Sequence, residues 1–227
     1  MQILKATEIT EGKMTALIYG TPGIGKTTLL GILPGRTLII DVDKGTSVLR
    51  GNERVDIVRL SEDLHELPEI LKELHVKCEY DNVCIDSLSE FERGMLAYYG
   101  RLGNNNGVPD QGSYLRVDYK LVDCCRQFRA LPCNVFFTAW EMQKEITSVT
   151  GEKYSQARPL LREKNTDNIC GLCDLVGQLV MNPKDGERYV RLESSMALIA
   201  KDRIHKRKYC KFEEILSGEN QGGNAHV

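Results

Sequence analysis

The apolar positions of this chain fall into short runs of buried-strand type, separated by stretches with helical spacing. Residues 15–19 (Thr-Ala-Leu-Ile-Tyr) form one such run, ending at Gly20. A Gly/Pro-rich turn follows, and a helix is predicted over Lys26 to Leu33, stopped by Pro34-Gly35. Thr37 to Asp41, Val55 to Leu60, Asn82 to Asp86 and Cys133 to Ala139 read as further strands. Ser61 to Val76 has the helical period, with Pro68 in its first turn and Ile70, Leu71 and Leu74 on one face. Leu88 to Leu102 is helical as well. Residues 103–112, with Gly103-Asn-Asn-Asn-Gly107, Pro109 and Gly112, read as a loop. Ser113 then caps a predicted helix that runs to Ala130 with Leu115, Tyr119, Val122 and Phe128 inward. Strands alternating with helices at this spacing predict an α/β fold with a mostly parallel sheet covered on both faces.

After Trp140 the pattern changes. Gln143 to Val149 and the polar stretch from Lys153 read as a loop or hairpin, and Asn165 to Asp174 as a short helix. Leu175 to Met181, a turn over 182–186, and Arg188 to Leu192 form a predicted antiparallel hairpin. Ala197 to Ala200 is the last predicted strand. The expected organisation is one domain over 1–216, followed by a polar tail over 217–227.

Composition narrows the classes. An apolar share of 41% and a charged share of 27% over 227 residues are globular values. Thirty Lys and Arg against 32 Asp and Glu leave a net charge of −2, so any nucleic-acid surface has to be a local patch. No apolar run approaches the roughly 18 residues of a membrane span. Lys5, Glu8, Glu11 and Lys13 interrupt the first 19 residues, so no export signal is expected and a cytoplasmic location is. Most of the cysteines lie inside apolar runs and read as buried thiols of a reduced compartment. Cys170-x-x-Cys173 has no second pair, and a structural zinc site takes four ligands.

The strongest chemical signal is Gly20-Thr21-Pro22-Gly23-Ile24-Gly25-Lys26-Thr27, which fits GxxxxGK[ST] and lies between a predicted strand and a predicted helix. Its glycines let the backbone curl so that successive N–H groups face one anion, and the start of the helix adds positive charge. These eight residues and Thr28 are the candidates for binding ATP. Lys26 is expected to reach the β- and γ-phosphates, and the Thr27 hydroxyl to ligate Mg²⁺. The dinucleotide motif fails, because Thr28 stands where its third glycine belongs. Asp86 closes the fourth strand in Val83-Cys-Ile-Asp86-Ser87 and reads as the Walker B partner of the same Mg²⁺.

Three further elements resemble the RecA-like ATPase core. Ile39-Ile-Asp41-Val-Asp43-Lys-Gly45 closes the strand after the P-loop helix. The resemblance assigns the carboxylate that orients the attacking water to Asp43, an Asp where the family usually carries Glu, with Asp41 as the other candidate. Phe136-Phe-Thr138-Ala-Trp140-Glu141 lies on the next core strand, and Thr138 is the implied γ-phosphate sensor. Lys201-Asp-Arg203 resembles the Lys-x-Arg pair that RadA- and DnaB-like ATPases insert into a neighbour's site, where such a cation can be worth roughly 10³–10⁵ in rate. His205, Lys206, Arg207 and Lys208 follow, so a solvated basic face is the competing reading.

Over residues 12–215 the chain is similar to small phage nucleotide-binding proteins, single-strand annealing proteins of RecA-like type among them. That resemblance implies single-stranded DNA as a partner. It also implies a homo-oligomer, ring or filament, with ATP between protomers, and a single-strand-binding protein as a further partner. RecA-like proteins hold single strands on two loops, which by position are 101–113 and 141–163. The first contains Arg101 and the second Lys144, Lys153, Tyr154, Arg158 and Arg162, cations with an aromatic as such binding requires. A small-molecule phosphotransferase, such as a nucleotide kinase, and a nucleotide-dependent scaffold are the alternatives.

Overall fold

The computed structural model describes residues 12–61, 64, 66–148 and 150–217; the expected tail, apart from Ser217, lies outside them. Along the chain come β1 (Thr15–Gly20), α1 (Lys26–Ile32), β2 (Thr37–Asp41), β3 (Val55–Arg59), α2 (Leu67–Val76), β4 (Asn82–Asp86), α3 (Leu88–Leu102) and α4 (Gln111–Arg129). There follow β5 (Asn134–Thr147), β6 (Lys153–Pro159), α5 (Glu163–Leu172), β7 (Leu175–Met181), β8 (Arg188–Arg191), β9 (Lys201–Asp202) and β10 (Tyr209–Lys211).

The strands join in one sheet, ordered β10-β8-β7-β1-β5-β4-β2-β3, with β6 paired to β5 and β9 to β7. From β7 to β3 every neighbouring pair is parallel. The hairpin β7–β8, its extension β10, and the pairs β5–β6 and β7–β9 are antiparallel. The predicted α/β architecture with a C-terminal antiparallel hairpin is the one observed.

The apolar runs have a plain cause. Successive residues of a strand face opposite sides of the sheet, and here both sides are covered. Leu17, Tyr19, Val83, Ile85, Val135 and Phe137 enter one core, under α2 to α5. Ala16, Ile18, Cys84 and Phe136 enter the other, which is closed by Leu29 and Leu30 of α1 and by Phe212. Tyr19 keeps its hydroxyl satisfied inside the first core by donating to the Ile199 carbonyl at 2.7 Å.

Four sequence expectations shift. The helix expected from Ser61 begins at Leu67, and the Glu66 carboxylate just before it accepts from the Ser61 amide and hydroxyl. The cap of α4 is Asp110, which accepts from the Ser113 amide and hydroxyl at 2.7 Å each, so the helix begins inside the expected loop. Of the residues expected inward, Val122 and Phe128 are buried, with Val117, Leu121, Cys124 and Cys125, while Leu115 is 49% and Tyr119 73% exposed. Residues 197–200 form only isolated bridges around a tight Ser195–Leu198 turn, and the strand pairing with β7 is Lys201–Asp202.

The basic run 205–208 is not uniformly a solvated face. Arg207 is buried, bonds Asp202 at 2.7 Å, and donates to the carbonyls of Glu214, Ile215 and Ser217. It ties the end of the described chain to β9. Arg207→Ala strands the Asp202 carboxylate and three carbonyls, and should lower stability by about 3–5 kcal/mol; urea unfolding measures the loss, and an unchanged midpoint would remove Arg207 from this role.

Candidate active site

The parallel strands end level with one another, and that places the chemistry. Asp41 pairs with Asp86, Ile85 with Phe137, and Ile18 with Thr138, while Gly20 lies beside Trp140. The carboxyl ends of β1, β4 and β2 therefore share one edge with the point on β5 where its parallel pairing stops. From that edge the P-loop turns into α1, with Gly23 at φ +79° and Gly25 at φ +104°, conformations that favour glycine. Gly25 has a second constraint: a Cβ there would lie 2.9 Å from the Arg188 side chain, which reaches over the loop to donate to the Ile24 carbonyl at 2.8 Å.

Lys26 is 8% exposed, and its ammonium folds back to the carbonyls of Gly20 (2.9 Å) and Thr21 (3.0 Å). Burial pulls its pKa below the ordinary lysine value, while Asp86, Asp43 and Glu141 oppose that shift. Asp86 is buried between two hydroxyls: Thr27 donates to its Oδ2 at 2.6 Å and Thr138 to its Oδ1. Burial raises the Asp86 pKa, the two hydroxyl bonds lower it, and Asp43 and Asp41 push it up. Thr27 and Asp86 are hard oxygen donors side by side, the set that suits Mg²⁺ when phosphates and water complete the shell.

The two candidate carboxylates after β2 have different surroundings. Asp41 is 1% exposed and fully engaged, accepting from the Gly45 amide (3.1 Å) and the Thr46 hydroxyl (2.6 Å), with Arg59 at 3.5 Å. Asp43 is exposed, at the edge of a cleft of about 530 Å³ that also borders Trp140 and Arg101. Its backbone amide and that of Val42 point to the Asp86 carbonyl, and Ser87 donates to its Oδ2 at 3.2 Å.

A family model described as an AAA domain matches residues 12–204. The chain belongs to that family of AAA domains. Similar solved structures include the RadB recombinase, with 18% identity, a TM-score of 0.49, and coverage of 81% of this chain and 82% of that one. A KaiC-like protein, PH0186 from the hyperthermophilic archaeon Pyrococcus horikoshii OT3, gives 15% identity, a TM-score of 0.42, and coverage of 81% and 79%. Nothing matches among curated proteins. The P-loop strand of this AAA domain is flanked by β5 and β7, and the Asp86 strand lies next beyond β5, the arrangement of a P-loop NTPase core.

Three residues of this AAA domain join the site without having been singled out from the sequence. Glu141 follows Trp140 midway along β5, where pairing with β1 gives way to pairing with β6, and is held by Gln178 and Gln143, each at 2.9 Å. Gln178 ends up there because β7 runs parallel to β1, a pairing made across 159 residues and invisible to local pattern. Arg188 arrives from the start of β8.

The remaining sequence candidates lie elsewhere. Lys201 donates to the Cys170 carbonyl at 2.5 Å, at the end of α5, and Arg203 pairs with Asp174 at 3.5 Å. Asp174 also accepts from the Thr15 amide, so the pair sits at the amino end of β1, the opposite end of the sheet from this chain's own P-loop. The stretch 141–163 is mostly the β5–β6 hairpin. On it Lys144 pairs with Glu163, and Lys153 with Glu145 at 2.9 Å. Arg158 is buried against Asp167. Arg162 bonds Asp118 at 2.8 Å and lies over the Tyr114 ring. Tyr154 is half-buried on β6. Cys173 is buried, and burial pushes the Cys170 thiol up to about 11. Among the described residues no helix is long and apolar enough to cross a membrane.

Asp41→Ala should cost about 1–3 kcal/mol, because it leaves the Thr46 hydroxyl and Gly45 amide unpaired. Asp43→Asn should change stability by no more than about 0.5 kcal/mol. Urea unfolding of the two variants checks the division; equal losses would end it.

Proposed function

We propose that this protein is a Mg²⁺-requiring ATPase that binds single-stranded DNA in recombination or annealing, as in the phage proteins it resembles, and works as an oligomer with ATP between protomers. The observation that carries the ATPase reading is the bonded row Thr27–Asp86–Thr138 beside a buried Lys26, with Asp43 exposed next to it. The triphosphate lies on residues 20–27, and the Lys26 ammonium exchanges the Gly20 and Thr21 carbonyls for β- and γ-phosphate oxygens. Thr27 and Asp86 hold Mg²⁺, which when bound neutralises charge on the transferring phosphoryl group. Thr138 acts on the γ-phosphate through Asp86, whose carboxylate it fixes. Asp43 accepts a hydrogen bond from the attacking water and orients it in line. Its side chain is one methylene shorter than Glu, and the Ser87 hydroxyl steadies it.

Lys201 and Arg203 supply the remaining positive charge from a neighbouring protomer. Their place at the far end of the sheet supports that reading, since it puts them out of reach of their own P-loop. For DNA, the half-buried Lys144 and the exposed Lys153 of the β5–β6 hairpin and Arg101 at the Asp43 cleft are the better-placed cations. Arg158 and Arg162 hold the hairpin's base to α4 and α5.

Lys26→Ala should lower ATP turnover by at least about 100-fold, with Pi release measured with and without oligo-dT. Stimulation by the single strand is the expected wild-type result; phosphate transfer to a nucleoside monophosphate would favour a kinase, and no turnover a scaffold. Arg203→Ala and Asp43→Asn proteins, each inactive alone, should regain activity when mixed, because one interface then carries both intact residues. Failure to recover at any ratio would place Arg203 outside the site.

A further inference from the structure

Between α4 and α5 a groove of about 190 Å³ opens on the surface, and it shares no lining residue with the cleft at Asp43. Tyr119, Val122 and Arg126 line it from α4, and Lys164 from the first turn of α5. The buried Asp118 and Asn165 form its floor. Asp118 is already answered by the Arg162 guanidinium at 2.8 Å, and the Asn165 amide donates to Asp118 and to Glu92. The floor is therefore fixed, and its carboxylate does not repel an incoming anion as a free one would.

The charge of this face is one-sided. Arg126 and Lys164 stand exposed on the two rims, and neither makes an ion pair among the described residues. Arg116 and Lys120 continue the row on the crest of α4, where they lie over the Tyr99 ring at 5.8 and 5.5 Å. Of the carboxylates within the same two helices, Asp118, Glu163 and Asp167 are paired with Arg162, Lys144 and Arg158. Asp123 is left, bonded to Gln127 at 2.7 Å. A chain of net charge −2 thus carries a compact positive surface here.

The groups between the cations narrow the partner. A nucleobase stacks on a bare aromatic face. Here the Tyr99 ring lies under two cations, and the Tyr119 ring under Lys164 at 5.9 Å. What stays open is aliphatic: Val122 in the groove, and Leu115, one turn before Tyr119 and 49% exposed. Aliphatic groups interleaved with cations complement a polypeptide that carries both carboxylates and apolar side chains, laid along a groove between helices. We propose that the α4–α5 groove docks an acidic segment of a partner protein, its carboxylates on Arg126 and Lys164 and an apolar side chain between Tyr119 and Val122. Arg116 and Lys120 steer its approach. Neither the nucleotide nor the single strand takes part in this contact.

The test is the fluorescence anisotropy of a labelled helical peptide, with Leu on one face and Glu on the other, titrated with the full chain in the absence of ATP and DNA. The wild-type protein should bind it saturably, and should bind the same peptide with Ser for each Leu about tenfold more weakly. Arg126→Ala/Lys164→Ala changes only exposed side chains and should weaken the Leu–Glu peptide by about tenfold. Arg126→Lys/Lys164→Arg keeps the charges and should bind as the wild type does. In a separate titration, oligo-dT affinity should be the same for the Ala double variant and the wild type. No saturable binding by the wild type, equal affinity for the Leu and Ser peptides, or an Ala double variant that binds as well as the wild type overturns the proposal. So does a loss of oligo-dT affinity of about tenfold in the Ala double variant, which would give this face to nucleic acid. Failure of the ATPase reading would appear instead as absent turnover and leaves the peptide titration untouched.

Discussion

The P-loop edge of the sheet is organised around one buried carboxylate. Asp86 is 3% exposed at the end of β4, where an isolated charge would be costly. It is tolerable because Thr27 and Thr138 each aim a hydroxyl at one of its oxygens. Those donors come from the first turn of α1 and from the strand between β4 and β1, so the carboxylate fastens the P-loop helix to the two central strands. Its backbone takes part too, since the Asp86 carbonyl receives the amides of Val42 and Asp43. The position of Asp43, the carboxylate proposed to orient the water, thus depends on Asp86. A rigid frame of this kind is what a phosphoryl-transfer site requires, where catalysis comes mainly from positioning and from fixed charge.

The neighbouring acids divide the work by environment. Asp41 points into the protein, and the chain itself uses both of its oxygens. Asp43, two residues on, is where the chain has left the sheet and reached the surface. A charge facing solvent and phosphate can exchange partners during a cycle, whereas one fixed by a buried hydroxyl cannot do so without loss of stability. The same reasoning applies to Lys201 and Arg203. Arg203 is 54% exposed at the side chain and paired at 3.5 Å, so little holds it to Asp174. Lys201 is held more firmly by the carbonyls at the end of α5, where a cation also meets the negative end of the helix.

How much of this was legible in the sequence follows from how local each feature is. The P-loop, its flanking strand and helix, and Asp86 at a strand end are written within a few residues, and each lies where local pattern puts it. The alternation hidden in Val83-Cys84-Ile85 is also local, since two covered faces make a strand apolar throughout. What local pattern misses is set by long-range packing. The rotation of α4 depends on which side α3 and α5 occupy, so Leu115 and Tyr119 satisfy the helical period as well as Val117 and Leu121 do, and only tertiary contact buries the second pair, with Val122 and Phe128, and leaves the first exposed. Gln178 and Arg188 reach the site through sheet pairings across the chain. Arg207, part of a run whose competing reading is a solvated face, is buried because four acceptor atoms, on Asp202 and the last described turn, surround it.

The cations expected to meet DNA also separate by burial, and that bears on assembly. Arg158 and Arg162 answer carboxylates in partly buried settings, so moving them to a phosphate would leave an acid uncompensated. Lys144 and Lys153 make exposed pairs, which contribute little, and a phosphate can replace Glu163 or Glu145 at small cost. One protomer with a net charge of −2 therefore offers only a few cations to a strand. Each phosphate contact releases counterions, and contacts on linked copies add along one strand, so affinity has to come from number. In the proposed assembly, tight DNA binding and oligomer formation are thus a single requirement.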